Sequence, residues 1–174
     1  MKAHPWFFRL SLLTTAVTLC VVVLGAWVRL TDAGLGCPDW PGCYGQWDVP
    51  NTPDAIAAAN EAFPDTPVHI GKGWREMVHR YLAGILGLMI LALGIFGWRQ
   101  RHRPGQPWRV PLFLVALVTF QAILGAWTVT WQLKPAVVTA HLLGGLTTLS
   151  LLWWVTLRCN YLGGTGRLAG NAGL

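Results

Sequence analysis

The chain has 174 residues, of which 53% are hydrophobic and 11% charged, with a formal net charge of +6. An average soluble domain carries about 25% charged residues, so a soluble globular protein is excluded. Disorder is excluded too, because 11 Trp and a mean hydropathy of +0.45 supply ample apolar surface. The basic residues flank apolar stretches rather than forming a patch, which argues against nucleic acid as a partner.

Four stretches carry no formal charge: 10–28, 81–98, 110–133 and 135–157. A helix needs about 20 apolar residues to cross a hydrocarbon core of roughly 30 Å, and its backbone groups are then satisfied internally. Helices are therefore expected near 10–28, 78–98, 110–131 and 137–157, within a membrane domain over 1–158. The fold class is all-α, an integral membrane four-helix bundle. The first stretch exceeds the roughly 7–15 apolar residues of a signal peptide, and Leu24 stands where cleavage after Ala26 would want a small residue. It is kept as a span.

Lys2 and Arg9 precede the first span; Arg99, Arg101, Arg103 and Arg109 join the second and third; Arg158 and Arg167 follow the fourth. No acid lies among them, and all 7 Asp and Glu fall in the loop 29–77. By the positive-inside rule both termini are cytoplasmic and the loop 29–77 is extracytoplasmic. Its prolines argue against long regular structure, apart from a short helix over 53–63. The Gly-rich segment 159–174 is expected to be a disordered tail.

The chain also echoes itself. Leu24-Gly25-Ala26-Trp27 in the first span recurs as Leu124-Gly125-Ala126-Trp127 in the third, and Val78-His79 is echoed by Ala140-His141. Two duplicated helical hairpins about a pseudo-two-fold axis are the expected architecture. The second and fourth spans run in the same direction, so His79 and His141 should lie at similar depth. Such a pair could supply two imidazoles to one heme iron, or be two interfacial histidines bonded to backbone or water. Topology leaves both open.

Glu76 precedes His79 by three positions and shares its helix face. It could act at the same site, favour a helix N-terminus by its charge, or pair with Arg80 at i+4. One Glu-x-x-His motif without further acids excludes a di-iron bundle. Cys37 and Cys43 bracket a short loop and are expected to form a disulfide in an oxidising compartment. Cys20 and Cys159 read as inert apolar residues, and His4, His69 and His102 have weak claims.

As a set these residues resemble the heme A synthase family. The stretch from Gly25-Ala26-Trp27-Val28-Arg29 through Gly36-Cys37-Pro38-Asp39-Trp40-Pro41 is similar to the family's first helix exit and cysteine loop. Arg75-Glu76-Met77-Val78-His79-Arg80 resembles the start of its second helix. Gly125-Ala126-Trp127, Leu133-Lys134-Pro135 and His141-Leu142 resemble landmarks of its third and fourth. The likeness covers roughly 10–158 and is to the amino-terminal four-helix half of a bacterial member, full-length members being about twice as long.

The resemblance implies a multi-pass enzyme of the bacterial cell membrane that oxidises a methyl group of heme O to the formyl group of heme A for terminal oxidase assembly. It implies His79 and His141 as ligands of the substrate iron and Glu76 as a catalytic carboxylate. Arg29, Arg75, Arg80 or Lys134 would bind propionates. A heme b belongs to the second half of the family's members. Implied partners are heme O, membrane lipid, a second copy or a separate second half, heme O synthase and oxidase assembly factors. A truncated chain and a naturally half-length member both remain open. The rival reading is a non-enzymatic bis-histidine membrane cytochrome or heme carrier, against which the lone Glu-x-x-His counts.

Overall fold

Continuous apolar runs of about 20 residues satisfy their backbone in lipid by coiling into helices, and the secondary structure follows that constraint closely. The structure is a computed structural model that describes residues 5–168, with side chains through Cys159. Its elements are α1 (Pro5–Leu30), α2 (Pro53–Ala62), α3 (Ile70–Arg99), α4 (Arg109–Thr130) and α5 (Pro135–Leu168). No strand occurs among the described residues. Four helices are long and apolar enough to cross a membrane: α1, α3, α4 and α5 as far as Cys159. Between 17% and 33% of each span is buried within the described chain, so most of each span's surface is left exposed by this chain's own packing. The protein is a multi-pass, four-helix membrane bundle.

The helices extend beyond the expected boundaries, because a charge-free run marks only the part that crosses hydrocarbon. α3 starts at Ile70 rather than 78 and so carries Arg75, Glu76 and His79 on regular helix. α5 continues to Leu168, into the segment expected to be a tail; the remainder, 169–174, lies outside the described residues, as do Lys2 and His4. The short helix expected within the loop is α2. Thr52 caps it, its hydroxyl accepting from Ala55 N–H at 3.3 Å, and Pro53 opens it with a φ already suited to a first turn.

Two compact units share these helices. One comprises the chain up to Cys20, Ile85–Phe120 and the chain from Gly144. Phe7, Ile90, Leu93, Leu114, Leu152 and Val155 fill its centre. Its hydroxyls are satisfied locally: Thr14, Thr15, Thr18 and Thr156 each donate to the carbonyl four residues back at 2.7–2.9 Å. The Thr15 and Thr156 hydroxyls also lie 3.1 Å apart, so either can turn its one hydrogen from its own helix carbonyl to link α1 with α5. Arg9, Arg101, Arg109 and Arg158 lie over the indoles of Trp6, Trp98, Trp108 and Trp154.

The other unit comprises Val21–Gly84 and Gln121–Leu143. Here the duplication is visible in the backbone. At the end of α1, the N–H groups of Thr31, Asp32 and Ala33 donate to the carbonyls of Trp27, Arg29 and Val28. At the end of α4, those of Trp131, Gln132 and Leu133 make the matching bonds to Trp127, Val129 and Thr128. Asp32 and Gln132 both take a left-handed conformation, φ 52° and 51°, as helix C-termini commonly require. The hairpins differ in their connections: the second turns directly into α5, whereas the first carries the long loop and α2.

That loop has its own small core of Cys37, Cys43, Tyr44, Val49, Ala59 and Met77, flanked by Phe63 and Val68. A disulfide joins Cys37 to Cys43. Closing so short a loop should constrain the unfolded chain by about 2–3 kcal/mol. Replacing both cysteines by serine is expected to lower unfolding stability in detergent by no more than that, and a much larger loss would show that the bond also holds native contacts in place.

Candidate functional site

Within the second unit, each histidine lies against the glycine of the repeated Leu-Gly-Ala-Trp. A Cβ placed on Gly25 would sit 2.9 Å from His79 Cε1 and 3.5 Å from Nε2; one on Gly125 would sit 3.6 Å from His141 Cε1. At Gly25 the glycine has a physical reason, since only a hydrogen in place of a side chain lets the imidazole lie so close to the helix; at Gly125 the ring lies at ordinary contact distance. The backbone within polar reach is that of Val21 for His79 and of Gln121 for His141, the residue one turn before each glycine. The two imidazoles are also within electrostatic reach of each other.

Nδ1 of both rings is buried without a hydrogen-bond partner. Burying a polar atom unpaired is costly, so the arrangement suits a ligand better than a pair of structural histidines. No cluster of three or more His, Cys, Asp or Glu side chains occurs among the described residues. The donor set is two imidazoles on two helices. It fits an iron whose remaining ligands come from a macrocycle.

Glu76 lies 4% exposed on α3, and its partners are clear. Oε2 accepts from the Cys37 backbone N–H at 3.0 Å, and Oε1 pairs with the Arg80 guanidinium. Arg80 also donates through Nη1 to the carbonyls of Asp39, at 2.9 Å, and of Pro41 and Gly42. Together they fasten the disulfide loop to α3. Close approach on the other side depends on Gly36, where a Cβ would fall 2.5 Å from the Lys72 carbonyl carbon. Asp39 completes the loop, accepting from Tyr44 N–H at 2.7 Å and Gly45 N–H at 2.8 Å. Burial, with Asp39 and Glu76 nearby, pushes the Tyr44 phenol up from its ordinary value. It stays a donor to the Pro67 carbonyl at 3.3 Å.

The cations fall into two groups. Arg80 is committed to loop carbonyls. Arg75 lies 5.7 Å from the Trp27 ring centroid and donates to Gly71 O, Lys134 lies over Trp131, and Arg29 is exposed. Lys72 pairs with Asp32 at 2.7 Å, and that hydrogen bond and charge hold the Asp32 carboxyl below its usual range. The pair is therefore intact above the ordinary carboxylate pKa and released as pH falls through the lowered value. His69 Nδ1 accepts from Lys72 N–H at 3.4 Å. His102 belongs to the other unit, in the turn between α3 and α4.

Inspection of charged residues and histidines in the sequence passes over one residue, Gln121. It is 8% exposed on α4, and its Nε2 has no hydrogen-bond partner. The signal is present in the sequence, as an amide well inside an otherwise apolar span.

Fold and site define a multi-pass helical membrane protein with a paired-imidazole site beside a disulfide-closed loop. The family model COX15-CtaA, cytochrome oxidase assembly protein, matches residues 8–173. The chain is 47% identical to the heme A synthase of Shewanella oneidensis over 88% of its length, covering 44% of that relative. Heme A synthases of Alkalihalophilus pseudofirmus and Shouchella clausii are 31% and 30% identical over 81% and 79% of this chain, which covers 41% and 40% of theirs. The chain spans less than half the length of these relatives. It belongs to the COX15-CtaA family.

The two glycines are expected to differ in tolerance. Alanine gains up to about 1 kcal/mol over glycine as a helix former. At Gly125 the added methyl meets His141 at ordinary contact distance, so Gly125→Ala should be neutral or stabilising. At Gly25 the methyl must displace the His79 ring, at a cost of roughly 1–3 kcal/mol. Thermal unfolding of both variants in detergent checks this; equal behaviour would mean that the Gly25 contact is not restrictive.

Proposed function

We propose that the chain is the substrate-holding part of a heme A synthase in a bacterial cell membrane. Its termini are cytoplasmic and its disulfide loop extracytoplasmic. His79 and His141 ligate the iron of heme O, and one methyl group of that heme is oxidised to a formyl group. The single observation that carries the reading is the matched pair of buried imidazoles, each on a glycine of the duplicated motif and each with an unpaired Nδ1. Kinship with heme A synthases supports the substrate. Arg29, Arg75 and Lys134 are the cations that propionates would meet; Arg80 is less suited, since the loop carbonyls occupy its donors.

Oxidising a methyl group to an aldehyde takes up the oxygen of one water and releases four protons and four electrons, so protons and electrons must both leave the site. Glu76 shares a helix face with His79 and is the carboxylate available to take a proton or to stabilise developing positive charge. The electrons pass to an acceptor in a second copy or a separate second half. Heme O synthase and oxidase assembly factors are the partners that would supply substrate and take product.

Replacing either His79 or His141 by alanine is expected to abolish a six-coordinate, low-spin heme spectrum. A neutral imidazole is needed for ligation, so acid should release the heme. Unchanged spectra in both variants would refute the assignment.

A second reading has an observation of its own. Glu76 is already held by Cys37 N–H and Arg80, as a purely structural carboxylate in a bis-histidine cytochrome or heme carrier would be. Glu76→Gln separates the two. In a context where the protein turns over, the synthase reading expects bound heme O to accumulate with heme A lost. Normal heme A yield would remove Glu76 from the chemistry.

Association is testable as well. Monomer and dimer separated in detergent and each supplied with heme O should both bind it, while heme A should form only where an electron-accepting partner is present. Sustained turnover by verified monomer would overturn that dependence.

A further inference from the structure

The duplicated hairpins build a cradle that is nearly symmetric in backbone and asymmetric in side chains. His79 has the backbone of Val21 beside it and His141 that of Gln121, each one turn before the ring-bearing glycine. The two positions correspond in the repeat, yet one carries a valine and the other an amide. Both are buried, Val21 at 9% and Gln121 at 8% exposure. A two-histidine clamp holds an iron equally well with the macrocycle turned either way about the ligand axis. A reaction at one methyl group needs something that breaks this equivalence.

Gln121 has the means. Its Nε2 is buried and unpartnered, and it shares a helix face with Gly125 at i+4, the glycine on which His141 lies. An amide donor in an apolar span is costly unless a ligand oxygen meets it. A propionate is the less suitable acceptor: the cations for it are Arg29, Arg75 and Lys134, and Lys134 follows α4 beyond Thr130, whereas Gln121 lies nine residues inside that end. A neutral amide among apolar side chains matches a neutral oxygen.

We propose that Gln121 recognises heme O by donating a hydrogen bond from its side-chain amide to the hydroxyl of the substrate's hydroxyalkyl side chain. Heme b carries a vinyl group at that ring position and offers no acceptor there. Sites that hydrogen-bond a hydroxyl discriminate against analogues lacking it, because the buried donor is then left unpaired. Gln121 is thereby a specificity residue that also fixes which way round the macrocycle sits. The inference rests on the heme O reading above.

The test is a spectroscopic titration of the purified chain in detergent with ferric heme O and with ferric heme b. Gln121→Met keeps the volume and removes the donor; it should weaken heme O binding about tenfold and leave heme b binding unchanged. Gln121→Asn, which shortens the amide without making the site apolar, should lose affinity for heme O in the same direction and serves if the methionine variant does not fold. Equal weakening for both hemes would show a structural role and overturn the proposal, as would unchanged heme O affinity. A loss confined to heme A, tested in parallel, would move the contact to the oxidised methyl and overturn it too. His79→Ala separates the two levels of argument. If that variant binds both hemes as before, the heme site itself is wrong; if it loses both while Gln121→Met has no effect, only the role of Gln121 fails.

Discussion

A polar group placed among lipid-facing helices must find a partner within the protein or be a site, and this constraint organises the molecule. The hydroxyls of Thr14, Thr15, Thr18, Thr148 and Thr156 find theirs in the carbonyl one turn back. Glu76 and Arg80 neutralise each other and bind the backbone of the loop. Gln100 and Gln106, each with an unpaired oxygen, belong to the turn between α3 and α4, beyond the helix ends. Among the described residues, three buried unpaired side-chain atoms remain inside the spans: Nδ1 of His79, Nδ1 of His141 and Nε2 of Gln121. All belong to one compact unit. The proposed site is this set of polar groups, left without a partner among the described residues.

Duplication explains why this set is nearly symmetric. A hairpin that ends its first helix with a left-handed turn and lays a histidine of its second helix on a glycine of its first was used twice. The matching capping bonds of α1 and α4 preserve that history at the level of single N–H groups. Function then enters through departures from the repeat. His79 and His141 correspond, but Glu76 corresponds to Val138, Arg80 to Leu142 and Gln121 to Val21. The first hairpin carries an ion pair and the loop it holds; the second carries an amide.

Much of this is legible in the sequence, for identifiable reasons. Charge-free runs are read directly because an apolar run of about 20 residues has the length of a spanning helix and not that of a barrel strand, and the four spans follow. The equivalence of His79 and His141 comes from the repeated landmarks. Glu76 pairing with Arg80 is visible at i+4, but its second bond to Cys37 N–H is not, since nothing local in sequence shows which backbone will fold against a side chain. The same holds for Arg80: its charge and position suggest a propionate, and the loop carbonyls around it can be known only from the tertiary path of 37–43. Hydropathy places the start of α3 too late because 70–77 is too polar to read as a span, although polarity does not prevent helix outside the hydrocarbon. Gln121 escapes a sequence reading because an uncharged amide hardly disturbs a hydropathy pattern, while being costly in a dry interior.

The ion pair at the base of the loop sets how the disulfide and the histidines can influence each other. Glu76 lies one helical turn from His79 and accepts a hydrogen bond from the backbone of Cys37, so one carboxylate touches both the closed loop and the helix that carries the imidazole. A buried carboxylate that loses one of its partners is left with uncompensated charge, which costs several kcal/mol. Any rearrangement that withdraws the Cys37 N–H or the Arg80 guanidinium must therefore be answered by Glu76, by taking a proton or by changing rotamer. Either response acts on the face of α3 that presents His79. The loop is thus more than a cover: its backbone helps to compensate the Glu76 charge, and the charge at the edge of the proposed paired-histidine site depends on how the loop is folded.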